Sequence, residues 1–163
     1  MNTIDRQSIT FRLVRDEDRL FLAGLYFSTR AEEMAMVPWT PEQKAQFLMM
    51  QFEAQSAHYA DQYDSNGFFI IERDGEPVGR IYKERQDGDI HLIDISLIPE
   101  VRGGGLGTQL LREVLDEAAA DGLTVSIYVE HYNPAKRLYH RLGFKEISEN
   151  GVYHLMKWDG PAT

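Results

Sequence analysis

The residues best placed to do chemistry sit in the loop Arg102-Gly103-Gly104-Gly105-Leu106-Gly107, which lies between an apolar branched run from Leu92 and an amphipathic run from Thr108 to Ala120. Four of the five residues from Gly103 to Gly107 are glycine. Where such a loop opens a helix, the first backbone N–H groups lack intrahelical acceptors and the positive end of the helix dipole points the same way. Glycine removes the side chains that would hold an anion off those groups. A phosphate-bearing ligand is the expected occupant. Other glycine-loop chemistries lack a residue they need. Thr108 and Gln109 follow Gly107 where a nucleotide P-loop has Lys-Ser/Thr. A dinucleotide fingerprint counted from Gly103 needs glycine or alanine at Thr108, although Glu130 at the next strand end could mimic its ribose-binding acid. The chain has no Gly-x-Ser-x-Gly elbow and no His-Glu-x-x-His pair. It has no cysteine, which excludes disulfides, thiolate metal sites and a cysteine acyl-enzyme. No metal is expected.

The elements that must position this loop follow from periodicity. Ile9 to Val14 alternates as a strand, and Arg15-Asp16-Glu17-Asp18 supplies cap and dipole carboxylates for a helix with Phe21, Leu22, Leu25 and Tyr26 inward. The charged cluster Ser28 to Glu33 falls near its end, ahead of an apolar loop from Met34 to Trp39. Thr40-Pro41-Glu42-Gln43 combines an N-cap, a proline at the first helical position and a capping-box glutamine, which predicts a second helix to about Tyr63. On it, Phe47, Met50, Ala54 and Ala57 form an apolar stripe. Gln51, Gln55, His58 and Gln62 repeat on a neighbouring face, beside Phe52 and Tyr59. That row could line a polar substrate cleft or be a plain surface stripe.

From Phe68 the period becomes strand-like. Phe68–Glu72, Pro77–Glu84 and Asp89–Ile98 read as an antiparallel meander joined by turns at Asp74-Gly75-Glu76 and Gln86 to Asp89. Leu110, Leu111, Val114, Leu115 and Ala118 share one face of the helix after the glycine loop. The β-branched run Leu123 to Glu130 must then lie parallel to the strand before that helix, because a helical crossover intervenes. The anion site thus falls at the carboxyl ends of two neighbouring parallel strands, the usual ligand position in open α/β sheets. Phe144–Ser148 and Val152–Trp158 form a closing hairpin around Glu149-Asn150-Gly151. Tyr153 and His154 read as packed sheet positions, and Gly160 to Thr163 as a tail without evident role.

At 163 residues and 43% hydrophobic composition, residues 1–163 are expected to form one domain with a full core. Met1 to Arg15 does not resemble a signal peptide and no run approaches a membrane span, so a cytoplasmic location is expected. A net charge of −9 argues against nucleic acid as a partner and favours a cationic or amine-bearing one, although solubility alone also accounts for it.

A second segment decides among the possibilities: Asn133-Pro134-Ala135-Lys136-Arg137-Leu138-Tyr139-His140-Arg141-Leu142-Gly143-Phe144. With the loop, it resembles the GNAT superfamily of acyl-CoA-dependent N-acyltransferases. Arg102, Gly105 and Gly107 match its Arg/Gln-x-x-Gly-x-Gly/Ala loop, and Asn133, Tyr139, Gly143 and Phe144 match its second pattern, with Ala135 two residues after the asparagine. The resemblance covers Phe68 to Trp158. It implies a mixed α/β (α+β) GNAT-type fold of about seven strands, with a central splayed parallel pair and about four helices. It also implies acetyl-CoA as acyl donor. In that reading Gly103, Gly104, Gly105, Leu106, Gly107 and Thr108, with Arg102, bind the pyrophosphate of coenzyme A. The backbone of Ile95, Ser96 and Leu97 pairs with the pantetheine arm, which Asn133 also contacts. Tyr139 is the acid that protonates the leaving thiolate, besides meeting the donor.

The acceptor is a primary amine, whose reference pKa of about 10.4 calls for a general base or water chain near neutral pH. Glu130, Asp94 and His91 are the candidates, in that order of preference for the first two. A structural hydrogen bond or a charge that binds the amine remains an equal alternative for each. Strand alternation puts Asp94 and Ser96 opposite His91 and Ile93. With no cysteine, transfer passes directly from thioester to amine. A small-molecule amine is the expected partner, with neither nucleic acid nor membrane, and a homodimer is allowed. A protein or peptide N-acetyltransferase and a non-catalytic acyl-CoA-binding module are the alternatives.

Overall fold

The computed structural model describes residues 5–131 and 133–160. The tail residues 161–163 and the first four residues lie outside the described part. Seven strands form one sheet in the order β1-β2-β3-β4-β5-β7-β6. They are β1 (Ile9–Leu13), β2 (Phe68–Arg73), β3 (Glu76–Gln86), β4 (Asp89–Leu97), β5 (Thr124–Glu130), β6 (Lys145–Asn150) and β7 (Tyr153–Trp158). Four helices accompany them among the described residues: α1 (Arg19–Ala35), α2 (Pro41–Gln62), α3 (Leu106–Ala120) and α4 (Lys136–Arg141). This is the mixed α/β architecture expected from the sequence. No described helix is long and apolar enough to cross a membrane. The chain divides into two compact units, one of Asp5–Arg80 with Ser96–Arg102 and the other of Ile81–Ile95 with the chain from Gly103 onward.

In the first unit, Leu22, Ala23 and Tyr26 of α1, Leu48 and Phe52 of α2, and Ile70 of β2 make one buried cluster. The start of α1 is fixed by Arg12 on β1. Its guanidinium forks onto the Asp18 carboxylate at 2.7 and 2.8 Å and reaches Glu72 at 2.9 Å. Asp18 also accepts from the Arg15 backbone N–H at 2.7 Å. The cap of α2 is as expected, since Thr40 Oγ1 accepts from the Gln43 N–H and the Gln43 side chain accepts from the Thr40 N–H.

The charged cluster Ser28 to Glu33 lies near the end of α1 as expected, and the helix takes in Met34 and Ala35 beyond it; Ser28 and Thr29 donate to carbonyls three residues back and so remain compatible with the helix. One expectation fails. On α2 the stripe of Phe47, Met50, Ala54 and Ala57 is not the buried face: Met50, Ala54 and Ala57 are exposed, and Leu48 and Phe52 are buried instead. Apolar residues at 47, 48, 49, 50 and 52 circle the helix. Periodicity alone therefore does not select a face, and packing against Leu22 and Tyr26 does.

In the second unit, β4 and β5 run parallel in register from Asp89–Thr124 to Leu92–Ile127. β4 continues to Leu97 and β5 to Glu130 beyond that register, which is the splayed parallel pair that was anticipated. Val125, Ile127 and Val129 of β5 are buried, and α3 packs on this strand with Leu106, Leu110, Leu111, Val114, Leu115 and Ala118 buried. The final hairpin is longer than the sequence suggests. Glu149 and Asn150 belong to β6, and the reversal falls at Gly151 and Val152, with Gly151 at φ +64°. His154 is buried as expected, whereas Tyr153 is exposed.

Candidate active site

The glycine loop folds as a nest for an anion. After β4, a 3-10 turn of Pro99–Val101 leads to Gly103 and Gly105, at φ +79° and +84°. These left-handed conformations, and not crowding, require glycine, since a Cβ at either position would meet nothing within 4 Å. Gly105 is the N-cap of α3 and offers no side-chain cap. Its carbonyl takes the Gln109 N–H at 3.0 Å. The N–H groups of Leu106, Gly107 and Thr108 belong to the helix's first turn, which has no internal acceptors. Open space, left-handed glycine and uncapped donors are what a pyrophosphate requires, so the residues fit the donor that the sequence implies.

At the end of β4, Ser96 and Leu97 are half-buried. Gly79 of β3 lies against them: an added Cβ would overlap the Ser96 carbonyl oxygen and come to 2.8 Å from Leu97 Cδ2. The Arg102 guanidinium donates from Nε to the Leu97 carbonyl at 2.8 Å and from its terminal nitrogen to Ser28 Oγ at 3.0 Å. Sequence reasoning singled out neither Gly79 nor Ser28. A lone glycine inside a strand pattern is a sign of close backbone approach and was the available signal for Gly79.

Tyr139 is the buried residue of the six-residue α4. Its ring meets Phe144 edge-on at 5.5 Å between centroids, and the Phe144 N–H donates to the Tyr139 carbonyl at 3.0 Å. Burial raises the phenol well above its ordinary pKa, and the negative charge of Asp94 adds to the shift. Tyr139 and Asp94 are therefore within electrostatic reach of each other. Asn133 caps the turn before α4 and not α4 itself. Its side chain accepts from the Ala135 N–H at 2.9 Å, while Ala135 holds the N-cap position of the helix.

Glu130 is half-buried at the end of β5, and its carbonyl accepts from the Asn133 N–H at 3.0 Å. Strand parity puts it on the face of Ser126 and Tyr128. Asp94 shares parity with Leu92, which pairs with Ile127 on the other face. His91 is on the Ser126 face, where its Nδ1 lies 2.9 Å from Ser126 Oγ. That hydroxyl donates to Asp89 Oδ2 at 2.5 Å, and Asp89 Oδ1 accepts from Thr124 Oγ1 at 2.6 Å. Ser126 spends its proton on Asp89, so it accepts from His91, and Nδ1 carries the hydrogen. Burial lowers the His91 pKa against the opposing charges of Asp89 and Glu84. His91 belongs to a buried brace within the paired part of the parallel strands, at a distance along β4 from the splayed end.

A second network escaped the sequence reading. Lys136 at the start of α4 reaches Glu146 Oε1 at 2.6 Å and His154 Nδ1 at 3.0 Å, and His154 Nε2 lies 2.8 Å from His131 Nδ1. These partners come from β6, β7 and the residue after β5.

The model of the acetyltransferase (GNAT) family matches residues 29–144, which include the glycine loop, Glu130, Asn133 and Tyr139. The chain belongs to the GNAT family. Among its relatives, the mycothiol acetyltransferase of Streptomyces griseus is 39% identical over 88 residues, 50% of this chain and 28% of that protein. The thialysine N-epsilon-acetyltransferase of Sus scrofa is 29% identical over 127 residues, 67% of this chain and 75% of that protein. The matches to mycothiol acetyltransferases of Streptomyces span about 28–31% of those proteins' length. Among solved structures, the PaiA N-acetyltransferase of Thermoplasma acidophilum in complex with coenzyme A superposes with a TM-score of 0.66 at 19% identity, covering 93% of this chain and 99% of that one. That likeness concerns the fold. The order of GNAT elements explains why the loop at the head of α3 and the helix bearing Tyr139 both follow strands of the parallel pair.

Proposed function

We propose that this GNAT chain is an N-acetyltransferase that moves the acetyl group of acetyl-CoA directly to a primary amine of a small molecule. The observation that carries the reading is the start of α3, an uncapped helix terminus on a left-handed glycine with open space before it. The amides from Gly103 to Thr108 bind the donor's pyrophosphate, and Ile95 to Leu97 and Asn133 lie along its pantetheine arm. The bound donor supplies an acetyl thioester. The amine nitrogen bonds to the thioester carbonyl carbon, the carbon–sulfur bond breaks, and the sulfur leaves with its electron pair.

Tyr139 faces that sulfur with its proton. A phenol raised by burial and by Asp94 is fully protonated at neutral pH, so it serves as a hydrogen-bond donor to the developing thiolate. It gives its proton up only as another replaces it. The amine's proton passes to a carboxylate or a water chain. Asp94 shares Tyr139's electrostatic surroundings, while Glu130, half-buried at the end of β5, suits holding an incoming cation. The net charge of −9 favours a cationic acceptor. Relatives named for mycothiol and thialysine acetylation support a small one. In this proposal residues 1–163 act as one acetyltransferase domain.

Thiol release from acetyl-CoA, corrected for hydrolysis, should be measured against amines, polyamines, amino acids and peptides. Release well above hydrolysis with at least one small amine is expected. Release with peptides alone would transfer the function to protein modification, and release with nothing would leave only a binding module.

A further inference from the structure

We infer that Arg102 is a positioning residue that fixes the carbonyl end of β4, and not a ligand of the donor's phosphates. The inference rests on the donor reading above. Its basis is where the guanidinium points. Arginine carries five N–H donors in a rigid fork and no acceptor, so two bonds made from different nitrogens set both its position and its plane. Here Nε is bound to the Leu97 carbonyl and the terminal nitrogen to Ser28 Oγ. Ser28 is itself immobilised, because its hydroxyl donates to the Leu25 carbonyl at 2.6 Å. The Leu97 peptide is thereby tied to α1 through a single side chain.

Gly79 defines the other side of the same segment. Successive carbonyls of a strand leave on alternate sides. The Ser96 carbonyl points to β3, where only the lack of a side chain at Gly79 makes room for it. The Ile98 N–H, bound to the Val78 carbonyl at 2.9 Å, closes that side. The Leu97 carbonyl leaves on the side away from β3, and Arg102 takes it. The segment assigned to the donor's arm is thus braced from both sides, by a glycine and by an arginine. Anion binding is left to the backbone amides of the Gly103 to Thr108 loop.

The two roles separate on donors with and without phosphate. Wild type, Arg102→Ala and Ser28→Ala should be compared for binding of acetyl-CoA and of S-acetylpantetheine, which keeps the arm and thioester but lacks the pyrophosphate. Loss of a brace should weaken both donors by the same factor, about tenfold for Arg102→Ala on the scale of hydrogen bonds to a charged group. Ser28→Ala should weaken both by a smaller common factor. A loss confined to acetyl-CoA in Arg102→Ala, with Ser28→Ala unchanged, would make Arg102 a phosphate ligand and overturn the inference. Should Arg102→Ala fail to fold, Ser28→Ala decides alone: an equal loss on both donors supports the brace, and no loss on either refutes it. If wild type binds neither donor, the donor reading itself fails, and the inference with it.

Discussion

In the proposed reaction Tyr139 is a proton donor in a place that makes its anion expensive. Burial and the Asp94 charge both disfavour the phenolate, so the side chain is suited to steady a departing thiolate and poorly suited to act as a base. Tyr139→Phe should lower kcat by about 10²-fold or more, the lower end of general-acid effects, with the KM for acetyl-CoA nearly unchanged. Steady-state thiol release on the accepted amine checks this, and an unaltered kcat would remove Tyr139 from the chemistry. Gly79 poses a different demand. Its missing Cβ leaves room for the Ser96 carbonyl, a backbone atom that cannot swing aside. Gly79→Ala should therefore cost about 1–3 kcal/mol, the usual overpacking penalty, and weaken donor binding through the same segment. Urea unfolding and a donor titration read the two effects, and a variant as stable as wild type would show that β3 yields easily. The sequence points to Tyr139 because its spacing from Asn133 and Gly143 is a motif. Gly79 belongs to no motif and becomes meaningful only once β3 and β4 are side by side.

α4 has six residues, far below the length at which a helix holds itself together in water. Tertiary contacts must fix it, and they act at both ends. At its far end, Phe144 folds back on Tyr139 with a backbone bond and an edge-on ring contact. At its start, Lys136 is clamped between Glu146 and His154. His154 Nδ1 lies 3.0 Å from the Lys136 ammonium and 3.3 Å from Glu146 Oε1, and its Nε2 lies 2.8 Å from His131 Nδ1. Lys136, and then His154, pull the Glu146 carboxyl down to about 2. Lys136→Met should speed exchange of the Tyr139 and Leu142 amides about tenfold and leave those of α3 unchanged. Hydrogen exchange resolved by residue measures it, and equal protection in both proteins would show that Phe144 alone secures α4. At this scale most of the fold was legible, because caps, turns and changes of period mark where elements start and stop. Thr40 and Gln43 announced α2 correctly. Its buried face was not legible, since apolar residues surround one turn and only contact with α1 chooses Leu48 and Phe52.

Across the whole chain, the central order β2-β3-β4-β5 could be anticipated from one helical crossover and a run of short turns, whereas the place of β1 beside β2 and of β7 between β5 and β6 could not. Nor could pairings between distant residues. Arg102 with Ser28, and His91 with Ser126 and Asp89, join positions that no local pattern relates, and they exist only after the chain has folded. These distant pairings also govern how the molecule responds to acid. The Asp18 carboxyl is lowered by Arg12, Glu146 by Lys136 and His154, and Glu117 by Lys83 and Arg85 against the opposing effect of its own burial. For each, the unfolded chain takes up its proton first as pH falls. The stability they contribute is complete above the ordinary carboxylate range near 4.5 and is lost below it, down to about pH 2 for Glu146. His91 acts earlier with the same sign. Its folded pKa lies below the ordinary 6.5, so the unfolded chain binds a proton that the buried imidazole refuses, and stability declines from about pH 6.5 downward. The urea midpoint should be level from pH 8 to 7, fall gently between 6.5 and 5, and fall steeply below 4.5. His91→Gln should abolish the gentle limb and keep the steep one, because an amide cannot take the proton while it can still donate to Ser126. A gentle limb that survives in His91→Gln would place the upper titration on another group and leave the brace of His91, Ser126 and Asp89 without a part in the acid response.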